Sequence, residues 1–138
     1  LSGNAGRRGE LVKRTIWVTA IALMLALGIC TFSEVYVQRF VTRARHLRTE
    51  AVEYMDRRDM ASATETMTQL AALLRESSAW LEVLCDHDDL HEIKGQAIEA
   101  KTSIELGDID DFYQAIYGFG EVLEHIADEQ ELRLSNLC

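Results

Sequence analysis

Four residues in the second half of the chain, His87, His91, His125 and Glu129, have the types and the spacing of a divalent-metal site. His87 and His91 stand one helical turn apart, as do His125 and Glu129, and facing i, i+4 pairs on neighbouring helices are how bundles assemble zinc and other divalent sites. The pairs meet only if their segments pack antiparallel. A turn at Gly107 would set residues whose numbers sum to about 215 opposite one another, bringing His87, Asp88 and His91 against Glu124, His125 and Glu129. The pattern is less demanding than a His-Glu-x-x-His motif, and a plainer reading competes with it. In that reading Asp86 or Asp88 caps the third helix, and His87, in line with Leu90 and Ile93, is a buried histidine bonded to a neighbouring carboxylate or carbonyl. A proton-sensing pair made of the same residues is a third reading, since histidine titrates near neutrality.

Other chemistry is sparse. The chain has no Gly-rich phosphate loop, no serine nucleophile elbow and no cysteine–histidine dyad with an orienting partner, so catalysis is not expected. Three cysteines are an odd number for a disulfide framework: Cys30 lies in an apolar run, while Cys85 and Cys138 close two helices whose ends would point the same way, which allows a disulfide between them. Trp80, Phe112, Tyr113, Tyr117 and Phe119 could line a small-ligand pocket, but at helical spacing they read first as core.

The elements that must position these residues are helices. Proline is absent, and beyond residue 33 the glycines are Gly95, Gly107, Gly118 and Gly120, so breaks are few. Val37, Phe40, Val41, Ala44, Leu47, Ala51 and Met55 recur at the helical period. Asp59 stands as an N-cap before a second stripe of Met60, Ala63, Met67, Leu70, Ala71, Leu74 and Leu81, a helix that should end near Cys85. A third stripe runs through Leu90, Ile93, Ala97, Ala100 and Ile104, and Leu106-Gly107-Asp108 reads as a C′ glycine followed by a new N-cap. The fourth carries Ile109, Phe112, Ile116, Phe119, Leu123 and Ile126. A shift of 49 residues lays the stripe from Asp59 to Leu74 onto that from Asp108 to Leu123, as two helical hairpins of similar design would.

Residues 15–33 carry no charge, and at about 1.5 Å per residue they cover roughly 28 Å, close to the thickness of a bilayer core. Trp17 at one end and Phe32, Tyr36 and Phe40 at the other suit the headgroup depths. A cleaved signal peptide is the rival, with small residues at Ala26 and Gly28, but the apolar run continues through Ile29, Cys30 and Phe32, and an uncleaved anchor is expected. Basic residues flank both ends. Lys13 and Arg14 abut the run, whereas the far side opens with Glu34, which points to a cytoplasmic N-terminus and an extracytoplasmic remainder. The organisation expected is a basic cytoplasmic tail (1–14), a transmembrane helix (15–33) and a helical domain (34–138). The fold class is all-α: an N-terminal transmembrane helix continuing into an antiparallel bundle of about four helices, arranged as two helical hairpins.

The overall charge of −9 hides an asymmetry: residues 1–14 carry +3, residues 34–58 carry +2, and residues 59–138 carry −14. Nucleic acid is therefore excluded as a partner, because duplex binding relies on Lys and Arg neutralising phosphates. Cations or basic protein surfaces suit the acidic end instead. Arg39, Arg43, Arg45 and Arg48, just beyond the span, are placed to touch anionic headgroups or to form a solvated helix face.

The C-terminal two-thirds resembles DUF4363, a family of small bacterial proteins with one N-terminal membrane helix. Three places carry the resemblance: Trp80 followed by His87-Asp88-Asp89-Leu90, the Gly107-Asp108 junction, and the ending from His125-Ile126 to Leu134-Ser135-Asn136-Leu137. The chain departs from the family pattern at His91, where an acidic residue is usual, and at Cys138, where an aromatic is usual, so a role for either would be peculiar to this chain. The resemblance implies a membrane-anchored helical domain without an assigned activity, and it implies a membrane protein as partner. The functions weighed are a non-catalytic interaction or structural module in the membrane, a divalent-metal-binding or pH-sensing bundle, and a secreted small-ligand binder released by signal cleavage.

Overall fold

The computed structural model describes residues 2–137, with side chains for 3–136; Cys138, and with it the proposed disulfide to Cys85, lies outside the described residues. The described residues form four helices: α1 (Ser2–Asp56), α2 (Met60–Leu84), α3 (His87–Leu106) and α4 (Ile109–Leu137). They fall into two units, residues 1–34 and residues from Val35 onward.

The first unit is the leading part of α1, and its large apolar side chains, from Leu11 and Trp17 to Ile29 and Phe32, are all exposed. The hydroxyls of its uncharged run turn inward on the backbone. Thr15, Thr19 and Thr31 each donate their hydroxyl to the carbonyl four residues back at 2.8–2.9 Å, and Ser33 donates to the Cys30 carbonyl at 2.9 Å. Every hydroxyl in the uncharged run is thus satisfied by the helix's own backbone, as those of Thr49, Thr64, Thr66 and Thr68 are in the bundle.

The second unit is an antiparallel four-helix bundle. Of the expected stripes, all seven α1 positions from Val37 to Met55 are buried, as are Leu90, Ile93, Ala97, Ala100 and Ile104 of α3. Helices α2 and α4 contribute Ala63, Met67, Leu70, Leu74 and Leu81, and Phe112, Ile116, Phe119, Leu123 and Ile126. Met60, Ala71 and Ile109, also expected in the stripes, are half-buried. The apolar stripes hold four helices together because each presents one such face and the only way to remove all four from water is to turn them inward.

The two hairpin turns are built alike, 49 residues apart. At the first, the Arg58 N–H reaches the Met55 carbonyl (3.0 Å) and the Asp59 N–H the Tyr54 carbonyl (2.8 Å); at the second, Gly107 reaches Ile104 (3.1 Å) and Asp108 reaches Ser103 (2.9 Å). This is the Schellman pattern, which needs a left-handed residue at C′. Gly107 takes that conformation at φ 73° and Arg58 takes it at φ 62°. Asp59 and Asp108 then cap the next helices, their carboxylates accepting from the Ser62 and Asp111 amides at 3.2 Å. The Asp59 carboxyl is held below its ordinary range by those Ser62 hydrogen bonds.

Glycine has no Cβ to strain in the left-handed region, and a side chain there costs about 1–2 kcal/mol. Arg58→Gly is therefore expected to raise the stability of the bundle by about 1 kcal/mol in denaturant titration. A loss of stability would show that the Arg58 side chain contributes more than its backbone costs.

Candidate functional site

The α3–α4 hairpin sets the register. Gln96 packs against Gly118 and His125 bonds to Asp89, so facing positions sum to 214. Asp86 caps α3, its carboxylate accepting from the Asp88 amide at 2.9 Å, and the helix starts at His87.

This register gathers Asp89, His125 and Glu129, whose donor atoms lie within 4.8 Å of one another. Asp89 Oδ2 is 3.0 Å from His125 Nδ1. His125 and Glu129 meet as the sequence places them, one turn apart on α4. His87 and His91 do not join them and are exposed. The reason is rotational: at 3.6 residues per turn, positions two apart are turned by about 200°, so the face that carries Asp89 cannot carry His87 or His91. The expected buried His87 is likewise corrected. It is the first residue of α3, and because Cα–Cβ bonds tilt toward a helix N-terminus its ring projects off the end of the helix into solvent.

Around the cluster the side chains tie α4 to its neighbours. Arg45 binds Glu124 through both ends of its guanidinium, Nε to Oε1 at 2.8 Å and Nη2 to Oε2 at 3.0 Å. Arg48 donates to the Ile116 carbonyl at 3.1 Å and lies over the Tyr117 ring. Gly120 makes this approach possible, since a Cβ there would meet the Arg48 guanidinium at 2.5 Å. Two of the four arginines just beyond the span, Arg45 and Arg48, are therefore bundle contacts, and Arg39 and Arg43 are exposed. Arg48, Tyr117, Gly120, Glu121, Glu124, His125 and Asp128 line an open cleft.

At the end of the bundle where α1 enters it, Gln130, almost fully buried, donates to the Leu84 carbonyl at 2.9 Å and so satisfies an acceptor that the end of α2 leaves open. Cys85 lies beside Asp89, Glu129 and Arg133; burial first of all pushes its thiol up to about 11, so it is protonated at neutral pH. Tyr113 donates to Asp56 Oδ1 at 2.5 Å, and this bond raises the phenol above its usual range. Phe112 and Phe119 are core, whereas Trp80 and Tyr117 are half exposed, so the aromatic residues do not converge on one pocket. An apolar groove instead lies between α2 and α3, lined by Ala71, Leu74, Ala97 and Ile98 with Arg75, Ser78 and Lys94 at its edges.

Residues 31–137 match the family described as Domain of unknown function (DUF4363). The chain belongs to the DUF4363 family. The match takes in the whole bundle, so the turns at Arg58 and Gly107, the α4 contacts and the Asp89–His125–Glu129 cluster are all features of this chain's DUF4363 domain, while most of the apolar run precedes it. Comparison with curated proteins found no match, and comparison with solved structures found none.

Proposed function

We propose that this chain is a non-catalytic, membrane-anchored module whose DUF4363 bundle presents an acidic surface to a membrane protein partner. The observation that carries the reading is the leading part of α1: residues 15–33 carry no charge, and their large apolar side chains, Ile16, Trp17, Val18, Ile21, Leu23 and onward to Phe32, are exposed. At about 25 cal/mol per Å² an apolar helix of that length left in water would be strongly unfavourable, so lipid is its natural solvent.

Lys13 and Arg14 abutting the run favour a cytoplasmic N-terminus and an extracytoplasmic bundle. With −14 over residues 59–138, that bundle suits a partner with a basic face, and Arg39 and Arg43 are free to meet anionic headgroups. A reporter enzyme active only outside the cytoplasm, fused after Cys138, is expected to be active. Activity confined to a cytoplasmic reporter at the same position would invert the topology.

A further inference from the structure

We infer that Asp89, His125 and Glu129 form a three-donor site for a divalent cation of the zinc type, held between α3 and α4. The imidazole and the two carboxylates each offer one atom, and all three atoms lie within 4.8 Å of one another. Around zinc, nitrogen and oxygen donors at about 2.0–2.2 Å in a tetrahedron stand roughly 3.3–3.6 Å apart. Asp89 and His125 already approach to 3.0 Å, so small side-chain rotations complete the set.

The backbone holds the donors from two sides. His125 and Glu129 project from successive turns of α4, and Asp89 comes from the first turn of α3 with its side chain only 17% exposed. Both helices are fixed by the buried stripes beneath, Leu90 and Ile93 on one and Leu123 and Ile126 on the other. The donors therefore sit on rigid elements, as a preorganised site requires.

Charge favours the same ligand. Two carboxylates and a neutral imidazole balance a 2+ ion, and Glu129, half-buried, has no hydrogen bond or ion pair among the described residues. The nearby guanidiniums are engaged elsewhere: Arg45 on Glu124, Arg48 on the Ile116 carbonyl and Arg133 on the Leu84 carbonyl at 3.4 Å. For His125 to bind through Nδ1 its proton must sit on Nε2, and the cation then takes the place of the proton that otherwise bridges Nδ1 and Asp89. One nitrogen and two oxygens suit zinc and its first-row neighbours rather than calcium. Three protein donors leave the fourth position to water.

The test is zinc titration of the full-length protein in detergent micelles, in chelator-free buffer, by calorimetry and by thermal unfolding. One equivalent is expected to bind, and at a hundred times Kd the melting temperature should rise by about 10 °C. His125→Ala, Asp89→Asn and Glu129→Gln should each weaken binding at least tenfold while keeping the metal-free helical circular dichroism, whereas His87→Ala and His91→Ala should leave it within twofold. Absence of saturable binding to the wild-type chain would overturn the site. So would wild-type affinity in the Asp89→Asn and Glu129→Gln variants, which preserve side-chain shape, or loss of binding in His91→Ala.

Discussion

Phe119→Ala is expected to destabilise the bundle by about 3–5 kcal/mol, the usual cost of removing a buried aromatic ring and leaving a cavity. The ring is fully buried, at the middle of the α4 stripe, with Ile116 and Leu123 one turn to either side and Phe112 two turns before it. Domains of this size are stable by about 5–15 kcal/mol in total, so the loss takes a large share of what holds the fold. Urea unfolding of the full chain in detergent, followed by Trp80 emission in a Trp17→Phe background, measures it. A change under about 0.5 kcal/mol would place Phe119 at the surface and contradict the packing of α4.

The second large effect concerns the other unit. Leu23 and Leu25 stand near the middle of the uncharged run, both exposed. An arginine at the centre of a membrane helix costs about 2.5–3.5 kcal/mol, so the Leu23→Arg, Leu25→Arg double variant opposes insertion by about 5–7 kcal/mol. It should move the protein from the membrane pellet to the soluble fraction and leave the bundle core, built from Val37 onward, intact. A double variant that stays in the membrane would mean that something other than residues 15–33 holds the chain there.

What the sequence made legible is what depends on local period. The apolar stripes of all four helices, the caps at Asp59, Asp86 and Asp108, and the Gly107 turn follow from spacing, because a chain without proline and with few glycines has little alternative to continuous helix. What it left illegible depends on helix rotation and on neighbours distant in the chain. His87 is in phase with Leu90 and still points to solvent, because it opens its helix. Asp89, lost in a run of acidic residues, becomes the partner of His125 only once the register is set to a single residue. Arg45 and Arg48 read as headgroup contacts or a solvated helix face, and only α4 laid against α1 reveals that they bind Glu124 and the Ile116 carbonyl; the bond from Gln130 to the Leu84 carbonyl likewise joins residues 46 apart in the chain. The left-handed Arg58 had one available signal, the 49-residue echo that sets it on Gly107.

Whether the bundle stays joined to a helix in the bilayer is decided by alkaline extraction of membranes from cells expressing the chain. The full-length protein is expected to stay in the carbonate-washed pellet, with its N-terminal residues still attached by mass. Release into the supernatant or the medium of a chain that begins near Ile29 would contradict it, and would make residues 15–33 a signal peptide and the bundle a secreted domain.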